Sequence, residues 1–147
     1  MQIVRIGGEA TQQHSAATIG AKAANLARMA ALDLPVPPAF VLPVELCAVA
    51  ITATEVAASG LAAAAEVPEG RRADSEDALA AVDRLIDAEH AADAQERAVT
   101  ALVFAGGFDV ATSLSAIELA RAVERSTDRL AGFGHLLRRH IMTELTA

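Results

Sequence analysis

The chain has no tryptophan and no tyrosine, and four phenylalanines are its whole aromatic content. A core of large stacked rings is therefore excluded. A single cysteine, Cys47, excludes an intramolecular disulfide framework and a cysteine-rich zinc site. Basic residues are outnumbered, 12 against 19 acidic for a net charge of −7, and they form no stripe, which removes the nucleic-acid-binding class. The opening MQIVRIGGEA lacks the basic flank and apolar stretch of a signal peptide. No uninterrupted apolar run reaches the ~18 residues that suggest a membrane span. These absences lead to the expectation of a cytoplasmic protein without a membrane span.

Alanine is what the chain has in quantity, 36 of 147 residues. It is the best helix former and buries little surface. Closely packed helices with thin cores follow, with partner helices needed to complete them. The length suits one ordinary domain or two very small ones.

Charge and punctuation divide the chain. Residues 1–50 are neutral, so residues 51–147 carry the whole −7. Four of the five prolines lie between Pro35 and Pro43, and the fifth is Pro68 in VPEGRR. This pattern predicts an N-terminal piece over 1–66, a turn near 68–73 and an acidic helical piece over 74–147. In the first piece, Gln2–Ile6 reads as a strand stopped by Gly7-Gly8, followed by a loop over 8–19. Ala21–Leu32 reads as a helix with Leu26, Met29 and Ala30 on its buried face. The prolines from Pro35 on forbid its continuation. Phe40-Val41-Leu42 reads as a short strand, and a further helix starts near Pro43 and runs to about Ala65.

In the second piece, Asp74 or Ser75 caps a helix running to about Ala105, where Gly106-Gly107 breaks it. Thr112 or Ser113 caps another that runs to about Leu145. Each helix is ~45 Å long at 1.5 Å per residue, and the short link makes them antiparallel neighbours. The expected fold class is mostly α: a short N-terminal β-α-β fragment followed by a long antiparallel helical hairpin. Leu79, Leu85, Leu102, Leu130, Leu137 and Ile141 exceed what a hairpin alone can bury. A homo-oligomer is expected for that reason, most simply a two-fold dimer pairing hairpins into a four-helix bundle.

Two Glu-x-x-x-Asp motifs stand on this hairpin, Glu89 with Asp93 and Glu124 with Asp128. In an antiparallel pair, residues at one level have a constant index sum, and Glu89/Asp128 and Asp93/Glu124 share the same one. Four carboxylates therefore sit at one height. Glu89 and Asp93 interrupt the apolar stripe of Val82, Ile86 and Val103, while Glu124 lies beside that of Val123, Leu130, Leu137 and Ile141. Oxygen ligands in a helical bundle suit a divalent or ferric cation. The alternative is salt bridges of Asp93 to Arg97, Glu124 to Arg121 and Asp128 to Arg125, ~0.2–0.5 kcal/mol each. His14, His90, His135 and His140 read as solvated or capping groups, and Cys47 as a small buried apolar residue.

Ile19-Gly20-Ala21-Lys22-Ala23-Ala24-Asn25-Leu26-Ala27-Arg28-Met29, followed by Leu34-Pro35-Val36-Pro37-Pro38-Ala39-Phe40, resembles the start of pyruvate phosphate dikinase and phosphoenolpyruvate synthase. Their ATP-grasp domain opens with Gly-Gly-Lys-Gly-Ala-Asn-Leu and then Leu-Pro-Val-Pro-Pro-Gly-Phe. The leading IVRIGGE and the trailing Glu45-Leu46-Cys47 are similar too. The resemblance implies that Lys22 reaches the phosphates of ATP. Ala21 and Ala23 stand where that family often has glycines. Its Val-Arg-Ser-Gly stretch, magnesium carboxylates, phosphorylated histidine and pyruvate-binding barrel have no counterpart in this sequence.

Residues 82–104 and 117–141 resemble paired helices of PhoU-type phosphate-signalling proteins, which implies a metal cluster at Glu89, Asp93, Glu124 and Asp128. Together the two resemblances imply a non-catalytic binding or regulatory module acting through metal or a protein partner. The alternative is the nucleotide-binding component of a split dikinase-like phosphotransferase, completed by another chain.

Overall fold

A computed structural model describes residues 4–6, 15–36, 39–42, 44–67 and 72–146, with residues 72–74 described by their backbone alone. The glycine stop at 7–8, His14, Pro43 as a helix start, residues 68–71 of the expected turn and the Asp74 side chain as a cap lie outside the described residues, while 72–73 are already helical. The protein is mostly α, with a two-stranded sheet near its N-terminus.

Strands β1 (Val4–Ile6) and β2 (Ala39–Val41) pair antiparallel, with Val4 opposite Val41, Arg5 opposite Phe40 and Ile6 opposite Ala39. Strand alternation turns Val4 and Ile6 inward and Arg5 outward. Between the strands run α1 (Ala16–Ile19) and α2 (Ala21–Ala31). The single turn of α1 falls inside the expected loop. Ser15 organises it: its carbonyl accepts the Thr18 N–H at 3.0 Å, and its hydroxyl lies 2.9 Å from that of Thr18. Gly20 separates the two helices at φ +81°, a conformation that a side chain would strain.

The inward face of α2 is Ala24 and Ala27; Leu26 and Ala30 are half-buried and Met29 is exposed, which corrects the expected face. Small residues let α2 lie against β1, where Val4, Ile19 and Ala24 form a compact core with Ala23 and Val41 packed on it. At its other end Asp33 adopts φ +55°. The Leu34 N–H then bonds the Met29 carbonyl and the Asp33 N–H bonds that of Ala30, both at 3.1 Å, a Schellman closure.

Three long helices follow: α3 (Val44–Glu66), α4 (Arg72–Ala105) and α5 (Val110–Glu144). Helix α4 starts ahead of the expected cap, so Ser75 lies inside it and is buried. It ends at the expected glycine pair, with Gly107 at φ +59°. By length and composition α3 is apolar enough to cross a membrane, with a mean hydropathy of 1.6 over its most apolar window, of which 22% is buried. The sequence reading missed this because Thr and Glu55 interrupt the run without lowering its average far.

Packing divides the chain into two compact units, one of residues 1–47 with 95–121 and the other of residues 48–94 with 122–147. The second is a core of three helical segments. Ala53 and Ala57 of α3 meet Leu85 of α4, with Leu130 and Phe133 of α5 packed beside them. Further along, Ala64 and Val67 join Ala78, Val82, Leu137 and Ile141. Of the six hairpin residues expected to require a second chain, Leu85, Leu137 and Ile141 are buried and Leu79, Leu102 and Leu130 half-buried. In this unit α3 packs against Leu85, Leu137 and Ile141. The α5 stripe also differs from expectation: its buried positions are Ala116, Ala120, Thr127, Ala131, Gly134, Leu137 and Ile141, whereas Val123 and Leu130 are half-buried.

A Cβ on Gly60 would lie 2.8 Å from the Ala81 Cβ and 3.4 Å from Leu137 Cδ2. In an exposed helix Gly→Ala stabilises by about 1 kcal/mol. Here the Ala81 methyl cannot rotate away, so Gly60→Ala is expected to destabilise by about 1–3 kcal/mol through overpacking. Ala81→Gly placed in that background should recover part of the loss in urea unfolding, whereas a more stable Gly60→Ala would contradict the close approach.

Candidate functional site

Lys22 stands in the first turn of α2, exposed, and makes no ion pair among the described residues. Its helix begins at Gly20, which provides no side-chain cap, and the first turn contains no acidic residue. The first N–H groups of a helix lack intrahelical acceptors and sum to a partial positive charge. A lysine ammonium adds charge of the same sign there, an arrangement that is unfavourable until an anion joins it.

The start of α5 is built the opposite way. Asp109 is its cap, in place of the expected Thr112 or Ser113. Thr112 donates its N–H to Asp109 Oδ1 at 2.9 Å and its hydroxyl to Oδ2 at 2.6 Å, while the Ser113 N–H bonds the Asp109 carbonyl. Thr112 is therefore a donor to the cap. The Thr112 hydroxyl first, and then its N–H, hold the Asp109 carboxyl below its ordinary 3.8. The positive end of α5 is thus already met by a carboxylate of its own chain.

That cap borders a cleft of about 580 Å³, lined by Arg5 and Ile6 of β1, Ala39 and Phe40 of β2, Gly107, and Asp109, Ala111, Thr112 and Ser115 at the start of α5. Arg5 stacks its guanidinium 4.2 Å from the centroid of the Phe108 ring and donates to the Gly107 carbonyl at 3.4 Å. An exposed cation–π contact of this kind is worth about 0.5–1 kcal/mol. Neither Arg5 nor Asp109 was singled out from the sequence. Arg5 looked like one residue of a strand, and only its contacts with Gly107 and Phe108 show that it reaches the glycine turn. Lys22 is not among the described residues lining this cleft.

The four carboxylates fare differently from the expectation. Glu96 and Arg121 pair across the hairpin at 3.5 Å with the index sum that Glu89/Asp128 share, whereas Asp83 and Arg138 pair with a larger one. Convergence is not observed. Among the described residues no three His, Cys, Asp or Glu side chains gather to hold a metal ion, so Glu89, Asp93, Glu124 and Asp128 do not fit the implied cluster. The cause is rotation about α5. Thr127 is fully buried, its hydroxyl returned to the Glu124 carbonyl at 2.8 Å, and this turns the adjacent Asp128 outward. Glu89, Asp93 and Glu124 are half-buried, and Glu89 lies 3.5 Å from His90 Nε2. Arg121, expected beside Glu124, reaches Glu118 at 3.3 Å and Glu96 instead. Cys47, expected to be buried, is exposed.

Comparison with protein-family models, with curated proteins and with solved structures finds no match to this chain.

The cap yields a pH prediction. Because the folded carboxyl titrates below its unfolded value of 3.8, its stabilising effect is present above that value and is lost as pH falls through the lower folded one. Protection of the Thr112 and Ser113 amides, relative to the unfolded chain at the same pH, should therefore hold through neutral and mildly acidic solution and fall only below pH 3.8. In Asp109→Ala the same amides should show little protection at every pH. Equal protection in wild type and Asp109→Ala would show that the cap does not hold this helix end.

Proposed function

We infer that the chain is a non-catalytic binding module, in which a fragment resembling the ATP-binding start of pyruvate phosphate dikinase is joined to a helical bundle with PhoU-like features. The observation that supports this reading is the start of α2. An exposed lysine stands on a helix end that no side chain caps, whereas α5 carries its own carboxylate in the same position. Lys22 is also the residue that the resemblance assigns to the phosphates.

The ligand in this reading is a nucleotide polyphosphate held chiefly by charge. One ammonium and one helix end give weak attraction, and salt screens it over ~8–10 Å.

Titration with ATP at low and high salt tests the reading. Weak binding at low salt, reduced at high salt and lost in Lys22→Ala, is the expected result. Binding that persists in Lys22→Ala would remove Lys22 from the site. Phosphoryl transfer between ATP and pyruvate by the chain alone would overturn the non-catalytic reading and the fragment reading with it.

A further inference from the structure

The cleft beside the glycine turn brings two opposite charges together without pairing them. Arg5 and Asp109 both line it, yet neither forms an ion pair with the other or with any described residue. Each is held by its own neighbours instead. Thr112 donates one hydrogen bond to each Asp109 oxygen, while Arg5 lies on the Phe108 ring with one N–H on the Gly107 carbonyl. A carboxylate oxygen can accept a second hydrogen bond, and a guanidinium offers a fork of further N–H donors. Capping and stacking thus fix an anion and a cation in place, each with its outer bonds unmade.

The rest of the lining is chiefly apolar. Phe40 stands directly across the strand pair from Arg5, so the two share one face of the sheet with Cβ atoms about 5 Å apart. Ala39 adjoins it on β2, and Ala111 forms the α5 side, with Ser115 one turn further on. The Ser115 hydroxyl is exposed and bonds to none of the described residues. All of these residues belong to one compact unit, that of residues 1–47 with 95–121. A volume of about 580 Å³, mainly apolar with a few fixed polar groups, suits a small molecule.

We propose that this cleft binds a free α-amino acid with an apolar side chain, its carboxylate on the Arg5 guanidinium and its ammonium on the Asp109 carboxylate. The side chain of the ligand then lies along Phe40, Ala39 and Ala111. A simple anion would gain Arg5 but meet the charge of Asp109, and a simple cation would meet the reverse. Only a zwitterion satisfies both. The gap that keeps Arg5 and Asp109 from pairing is the room that the ligand's own two charges fill. The Asp109 carboxyl, held below 3.8 by Thr112, stays ionised wherever an amino acid is zwitterionic. Lys22 does not line the cleft, so this site is separate from the helix end proposed for a nucleotide.

Amide spectra of the isotope-labelled full chain, titrated with L-leucine, test this, with far-ultraviolet circular dichroism as the check on folding. Saturable shifts at Ile6, Phe40 and Ser115 with a Kd of about 1 mM or tighter are expected. N-acetyl-L-leucine lacks the ammonium and L-leucinamide the carboxylate, so each should bind at least ~10-fold more weakly. Glycine, which leaves the apolar wall bare, should bind more weakly too. Asp109→Asn keeps a capping side chain and drops the charge. It should lose the preference for leucine over the N-acetyl form, and Arg5→Gln the preference over the amide. No saturable shift up to about 20 mM L-leucine overturns the proposal, as does equal binding of leucine and its two blocked forms by wild type. If Asp109→Asn weakens all three ligands alike, Asp109 only holds the helix end and the proposal fails.

Discussion

The approach of α3 to α4 at Gly60 and Ala81 is the contact on which the three-helix core depends. A chain so poor in aromatic residues cannot fill wide gaps, and dispersion attraction falls away within an ångström of the optimum separation. Its helices must come close, and only glycine and alanine permit that. The few large side chains in the interior are received by the same glycines. Leu137 lies against Gly60, and Leu85 against Gly134. Clusters of alanine, valine and leucine then form on either side of the Gly60 contact, one around Leu85 and one around Ile141. The thinness of the core and its close packing have a single origin in composition.

The helix lengths and the glycine break were legible, because alanine content and Gly106-Gly107 are local signals. The buried faces were less so. In α2 and α5 the expectation followed large apolar residues, Leu26, Met29, Val123 and Leu130, while the fold buries Ala24, Ala27, Ala116 and Ala120. Hydropathy periodicity weights a leucine over an alanine, yet where helices approach closely the alanine is the residue that fits. The role of α3 was hidden for the same reason. Its inward stripe of Ala53, Ala57, Gly60 and Ala64 carries no large side chain to announce it.

Asp109 and Lys22 show a second limit of local reading. Both Asp109 and Thr112 are acceptable capping residues by type, and the choice between them depends on where the glycine turn releases the chain. At α2 the turn ends on Gly20, which brings no acceptor, so the helix end stays electropositive and the lysine two residues on reinforces it. Two helix starts with the same backbone chemistry thus acquire opposite electrostatic character from one side chain each.

The Arg5 contacts with Gly107 and Phe108 join residues about one hundred positions apart. Both compact units are likewise assembled from two separated stretches of chain. During synthesis, β1, β2 and α2 leave the ribosome well before the glycine turn that completes their unit exists. Closing so long a loop costs entropy that local helix formation does not. The long helices can therefore form as they emerge, whereas the first unit waits for residues 95–121. Ending the chain between 66 and 74 would leave both units incomplete, so neither can be isolated by a single cut.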